Sequence, residues 1–163
     1  MSGKVTDNLG RASGLSKALA AGGAGKILQV VAGTSSTETS HGTTSYTDSG
    51  LDVAITPSAS SSKIFVVATF GGYQTGGYNG YWTIYRDSTN LNSGSPDSMT
   101  SSHAQDIGNN IQLSQSLSFL DSPSSTSSIT YSVYCKVQTA GQVTKTVNGS
   151  PVNSIIAMEI DGS

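Results

Sequence analysis

The stretch ITPSASSSKIFVVATF, Ile55 to Phe70, decides the fold class. A short apolar lead-in stops at Pro57, serines follow, and a nearly unbroken apolar run starts at Ile64. The same order recurs in LDSPSSTSSITYSVYCKVQ, Leu120 to Gln138, around Pro123. Proline carries no N–H, so it ends a strand's hydrogen-bond ladder. Serine hydroxyls behind it satisfy backbone groups locally and hold a turn. Each block therefore reads strand, turn, strand. The flanking strands do not match beyond the block, which argues against a true repeat. Each serine run is short and lies inside the body, which argues against a linker. Two turns of one type, at related ends of a sandwich, are expected.

Alternation and turn residues place the other strands. Ile27 to Val31 is the first, followed by a polar loop holding Glu38 and His41. Thr44 to Thr47 is a short second strand, closed by Asp48-Ser49-Gly50. Leu51, Val53 and Ile55 alternate on one face of a third. Ile64 to Phe70 is expected to be covered on both sides. Tyr81 to Arg86 follows, with Trp82 and Ile84 facing the core and Tyr81, Thr83 and Tyr85 on the other face. Asn90-Leu91 is a short edge candidate. Ile111 to Phe119, Ile129 to Val137, Val143 to Val147 and Ile155 to Ile160 complete the set. Eight or nine strands at short spacing, with no helix between them, mean an antiparallel sandwich or barrel.

The composition agrees with one folded domain. The chain has 163 residues, 11% charged and 35% hydrophobic, with 19 glycines and a formal net charge of −2. Disordered chains combine low hydrophobicity with high net charge and lack β-branched and aromatic runs. Here KIFVVATF and NSIIAMEI are too apolar to remain in water. The surface is expected to carry hydroxyls and amides in place of charges. Eight scattered Lys and Arg do not make a phosphate-binding surface, so no nucleic-acid partner is expected. No window is long and apolar enough for membrane insertion, and no signal-peptide core is present. One cysteine gives neither an internal disulfide nor a zinc motif, and no cofactor or metal is expected.

Residues 1–25 differ from the rest. A small-residue stretch, Leu15 to Ala21, has helix propensity but is too short to be stable alone. Gly22, Gly23 and Gly25 supply a hinge. This leader is either a non-globular tail or a docking peptide, in which Val5, Leu9, Leu15 and Leu19 fill pockets on a partner. The globular domain is expected to span 26–163.

KILQVV, SYTDSGLDVAITPSASSSKIFVV, FLDSPSSTSSITYSVY and SIIAMEI, taken in order, resemble a domain of tailed-bacteriophage structural proteins, particularly of marine phages. The leader VTDNLGRASGLSKA is similar to the segment that precedes that domain. The resemblance covers nearly the whole chain and is weakest from about Gly71 to Asn110. It implies a jelly roll of the trimeric, tumour-necrosis-factor-like type. It also implies a virion location, made in the host cytoplasm, with the leader contacting other virion proteins. The function it implies is non-enzymatic display on the particle surface, as a tail-fibre or receptor-binding component in host adhesion. A head decoration or cement protein is the alternative, and the start at Met1 fits a standalone accessory protein of either kind. A polysaccharide-degrading tail enzyme stands third.

The candidate chemistry is sparse. His41 and His103 are expected in polar loops, and no G-x-S-x-G elbow accompanies them. In a trimer, one histidine could meet its copies on the axis. Glycoside cleavage needs paired carboxylates. Asp48, Asp52, Asp87, Asp97 and Asp106 instead read as turn residues. Asn148-Gly149-Ser150 reads as a hairpin turn. The distinctive stretch is FGGYQTGGYNGYWTIY, Phe70 to Tyr85, which sets Tyr73 and Tyr78 between glycines. Tyrosine offers a large contact area with a polar tip, suited to a host glycan or protein. Packing of both rings on their own sheet explains the same residues.

The β9 pattern sets Cys135 on the face of Ile129, Tyr131 and Val133, with Tyr134 and Val137 offset from it, and on that face a thiol is enclosed and unreactive. Thiol reagent is expected to leave the native protein unlabelled and to label one site after denaturation. Rapid native labelling would overturn this strand register.

Overall fold

The computed structural model describes residues 25–75, 77–94, 97–103, 110–146 and 152–162. Among them are eleven strands: β1 Ile27–Ser35, β2 Thr39–His41, β3 Thr47–Ile55, β4 Lys63–Gln74, β5 Asn79–Arg86, β6 Thr89–Asn90, β7 Thr100–His103, β8 Ile111–Asp121, β9 Ile129–Val137, β10 Thr144–Thr146 and β11 Asn153–Ile160. Sheet I runs β1-β11-β4-β10-β2, with β8 on the opposite edge of β4; sheet II runs β3-β9-β5-β6, with β7 also on β5. Without the short β2, β6 and β10, the orders are β1-β11-β4-β8 and β3-β9-β5-β7. The chain changes sheet at β2–β3, β3–β4, β4–β5, β7–β8, β8–β9 and β9–β10. This is an antiparallel β-sandwich with jelly-roll connectivity.

Period-two alternation fills the space between the sheets. Leu51, Val53 and Ile55 of β3, and Ile64, Val66, Ala68 and Phe70 of β4, are all buried. Trp82, Ile84, Tyr131, Val133 and Cys135 lie beside the β3 residues on the inner side of sheet II and face those of β4, all fully buried. The expected inward face of β9 therefore stands for Ile129 to Cys135, but Val137, expected off it, is buried on the same face, two residues beyond Cys135. Burial pushes the Cys135 thiol up to about 12, against a small lowering by the Thr146 hydroxyl.

The two proline–serine turns lie at one end of the sandwich. Ile64 sits opposite Asp121 in the β4–β8 ladder, and Ile55 sits opposite Ile129 in the β3–β9 ladder. Both turns carry the chain between sheets. Their backbones differ: Ser62 N–H donates to the Ala59 carbonyl at 3.1 Å in the first, whereas Ser124 adopts φ 52° in the second. What they share is a buried carboxylate. Glu159, fully buried, accepts from Ser58 N–H (2.7 Å), Ser58 Oγ (2.6 Å), Ser62 Oγ (2.7 Å) and Gln29 Nε2 (2.6 Å). Asp121, also buried, accepts from Arg86 Nη1 on both oxygens (2.9 Å each), Tyr131 Oη (2.7 Å) and Ser122 N–H (2.9 Å). The serines after Pro57 thus do more than close a turn: they solvate a charge.

Several expectations need correction. Thr44 to Thr47 is not a separate strand, and Asp48-Ser49-Gly50 does not end one. Gly50 takes φ 74°, its N–H meets Asp48 Oδ1 at 2.9 Å, and the β3–β9 register slips between Asp48 and Asp52. The triplet is a bulge inside β3. The apolar run of β4 does not reflect cover on both faces. Its inward positions are buried, while Phe65 and Val67 face outward and are half-buried among their neighbours in sheet I. Two short strands, β2 and β7, arise where polar loops were expected, so each histidine ends a strand.

The glycines before Trp82 also have an interior cause. Gly72 and Gly80 lie on inward positions of β4 and β5. A Cβ at Gly72 would come within 2.8 Å of Gln115 Cγ, and one at Gly80 would collide with Gln74 Oε1. They make room for buried Gln74, Gln115, Thr144 and Thr146, the polar end of the interior. There Trp82 Nε1 donates to Thr146 Oγ1 at 3.1 Å.

Burial alone would raise the Glu159 carboxyl, but the donors from Ser58, Ser62 and Gln29 outweigh it and hold it at about 2, below its ordinary value of 4.5. A lowered folded-state value means that its stabilisation is complete above about pH 4.5 and is lost as pH falls toward about 2. Glu159→Ala strands these donors and is expected to cost about 3 kcal/mol, a fall in Tm of roughly 10 °C at neutral pH. The Tm gap between wild type and Glu159→Gln should shrink as pH is lowered from 6 to 2.5 (about the carboxylate range). A gap that does not change with pH would show that the carboxylate is not the anchor.

Candidate functional site

The outward face of sheet II carries the strongest concentration of recognition chemistry among the described residues. Alternation forces it: with Trp82, Ile84, Val133 and Cys135 inward, Tyr81, Tyr85, Tyr134 and Lys136 must point outward. In the ladder Tyr81 lies opposite Lys136, and Tyr85 opposite Ser132. Tyr46, immediately before β3, enters the same face. Its ring lies 4.5 Å from Lys136 Nζ, and the Tyr81 ring lies 5.8 Å away. One ammonium thus contacts two aromatic rings, an arrangement worth about 0.5–1 kcal/mol per contact at exposed sites. Tyr85 stacks on Tyr134 with centroids 3.9 Å apart and meets Tyr46 at 5.9 Å.

Asp97, between β6 and β7, closes on this cluster. Asp97 Oδ1 and Oδ2 each accept from Lys136 Nζ at 2.8 Å, and its carbonyl accepts from Tyr46 Oη and Asn90 Nδ2, both at 3.0 Å. Asn90 Oδ1 in turn accepts from Thr83 Oγ1 at 2.8 Å, which buries Thr83 on an otherwise outward position. Beside this clamp lies an open cleft of about 300 Å³, lined by Thr44, Tyr81, Asp97, Lys136, Val137 and Gln138. Burial raises the Tyr46 phenol, reinforced by the Asp97 charge. Burial likewise raises Tyr85 and Tyr134, so these hydroxyls stay protonated donors near neutral pH.

The residues singled out from sequence fall elsewhere. Tyr73 is not in a loop: it is an outward position of β4 in sheet I, half-buried, with Lys145 Nζ 5.1 Å from its ring. It packs on its own sheet. Tyr78 does lie outside the strands, between β4 and β5, and is half-buried. The structure does not bring these two tyrosines into one site with the sheet II cluster. Val5, Leu9, Leu15 and Leu19 lie outside the described residues, as do Asp106 and Asn148-Gly149-Ser150.

The histidines are separate. His41 ends β2, with Nδ1 2.7 Å from Thr47 Oγ1; burial lowers its pKa, against the Asp48 charge. His103 ends β7 on sheet II, exposed. Among the described residues no group of three or more His, Cys, Asp or Glu is placed to hold a metal. Both buried carboxylates, Asp121 and Glu159, face the interior, occupied by structural donors.

A second recess of about 180 Å³ lies on sheet I, where β10 gives way to β11 along β4, lined by Phe70, Leu113 and Val152 among others. It adjoins an apolar face. In register across sheet I stand Val30, Met158, Phe65 and Leu120, then Ala32, Ile156, Val67 and Ser118. Val30 is 58% exposed and Leu120 50%. The molecule therefore has two unlike outer faces, one apolar and one lined by tyrosines and polar groups. Comparison with protein-family models and with curated proteins gave no match to this chain.

The clamp on Asp97 yields a local test. Tyr46→Phe removes one hydrogen bond to its carbonyl, an expected loss of about 1 kcal/mol. Amide exchange at Asp97 and Ser98 should accelerate while the core strands keep their protection. Unchanged exchange there would mean that Tyr46 does not hold the segment.

Proposed function

We propose that the chain is a non-enzymatic structural protein displayed on the surface of a tailed-phage virion, and within that class a tail-fibre or receptor-binding component. The observation that carries this reading is the contrast between the two outer faces. A contiguous apolar sheet face is a liability on a monomer and marks an interaction surface. A closed homotrimer that buries sheet I would remove that liability. It would leave sheet II, with its tyrosines and the Lys136–Asp97 pair, turned outward toward the host. The sequence resemblance to phage structural domains supports the same assignment. So does the engagement of Asp121 and Glu159 by structural donors, which leaves neither facing an open cleft as an acid catalyst. Attachment to the particle falls to residues 1–25 on this reading. Neither histidine lies on the apolar face, so an axial histidine cluster forms no part of the proposal.

Two measurements test it. Light scattering of the full chain at micromolar concentration is expected to give three times the chain mass. Val67→Lys with Ile156→Lys should give a folded monomer with an unchanged far-ultraviolet spectrum. A monodisperse wild-type monomer would remove the trimer. Labelling the protein in intact particles then places it: copies at the tail support adhesion, and copies spread over the head replace it with decoration.

A further inference from the structure

We propose that the cleft beside Tyr81, Lys136 and Asp97 is a binding site for a neutral pyranose of a surface polysaccharide. The inference rests on the adhesion reading for its biological sense, but its geometry stands apart from it.

The chemistry of the cleft selects the ligand class. A pyranose presents flat C–H surfaces and a rim of hydroxyls, each of which donates and accepts. The cleft offers the complement. Tyr81 contributes an outward aromatic face from a rigid strand, at low entropic cost. Asp97, with 46% of its side chain exposed, keeps acceptor positions beyond the two filled by Lys136. Thr44 and Gln138, a hydroxyl and an amide residue, also line it. Aromatic walls with a few fixed polar groups are the general form of a small-ligand site, and about 300 Å³ is the lower end of its size range.

Charge decides against the competitors. The Lys136 ammonium is bound to both Asp97 oxygens and set between two rings, so the cleft carries no net positive charge. An acidic sugar or a phosphate would meet the Asp97 carboxylate at the same place. Nucleic acid needs several cations along a track, and among the described residues Lys136 is the only cation lining this cleft. The clamp also preorganises the site. Tyr46 and Asn90 fix the Asp97 backbone, and Lys136 fixes its carboxylate, so little ordering is left to binding.

The test uses the full chain and amide NMR. Glucose, galactose, mannose and N-acetylglucosamine, with their disaccharides, are titrated to about 20 mM, enough to occupy a millimolar site. Glucuronate and N-acetylneuraminate serve as anionic controls. At least one neutral sugar is expected to shift the amides of Tyr81, Lys136 and Val137. Tyr81→Ala should weaken that binding about tenfold or more while melting stays close to wild type, and Tyr81→Phe should retain it within about threefold. Asp97→Ala is an independent check that should also weaken it. Binding that survives Tyr81→Ala, binding of the anionic sugars alone, or no shift with any sugar would each overturn the proposal. Adsorption of particles carrying Tyr81→Ala separates the two readings. Lost sugar binding with intact adsorption upholds the cleft and removes the adhesion role. Lost adsorption without any sugar bound removes the cleft and leaves adhesion standing.

Discussion

Glu159 is the charge around which one end of the sandwich closes. A buried carboxylate is tolerated only when donors replace the water it has lost. Here the donors come from three places in the chain: Gln29 on β1, Ser58 just after Pro57, and Ser62 just before β4. Satisfying one carboxylate therefore fixes the β3–β4 crossover against β1 and β11 together. Asp121 does the same for the β8–β9 crossover, tying Arg86 of β5 and Tyr131 of β9 to the end of β8. Both carboxylates sit where the chain leaves one sheet for the other. The register of β4, which neighbours β8, β10 and β11, is tied to these crossovers, and with it the composition of the outer face of sheet I.

Strands long enough to show alternation were legible, and so were their inward residues. Trp82, Ile84, Tyr131, Val133 and Cys135 were placed by period two alone, because burial on one face leaves a pattern in the chain. The short strands were not. β2, β7 and the Asp48–Gly50 bulge consist of Ser, Thr, His, Gly and Asp, residue types equally at home in turns, and only pairing with neighbours makes them strands. β4 shows a different failure. Its run from Ile64 to Phe70 reads as strand by hydrophobicity, but its continuation through Gly71-Gly72-Tyr73 reads as loop. Gly72 there answers to Gln115 on the neighbouring β8 and to Trp82 across the interior, a constraint that no local window contains.

The same reasoning explains why the candidate site was only half visible. The outward face of Tyr81, Thr83 and Tyr85 could be read from alternation. Its completion by Tyr46, Lys136 and Asp97 could not, since those residues reach one place only through the β3-β9-β5 order of sheet II. Tyrosines between glycines drew the eye to Tyr73 and Tyr78. Yet Tyr73 belongs to sheet I, and the functional contrast lies between strands, not within the glycine-rich stretch. Asp97 reads as a turn residue and does sit between strands. Its second role needs a lysine 39 residues further on.

The two outer faces follow from one topological fact. In a two-layer sandwich each strand has a single inward side, so every outward residue is free of the core and answers to something else. On sheet I the outward residues of four adjacent strands are apolar in two consecutive rows, Ser118 at the β8 end of the second excepted. On sheet II they are tyrosine, threonine, serine, lysine and aspartate, with Ala54 among them. A chain with few charges has little other means of keeping copies apart or bringing them together in one orientation. The asymmetry supplies an orientation: contact between apolar faces turns the tyrosine faces away from each other. If copies associate through sheet I as proposed, assembly and recognition need no shared residues, and a change at Tyr81 or Asp97 would leave the apolar face intact.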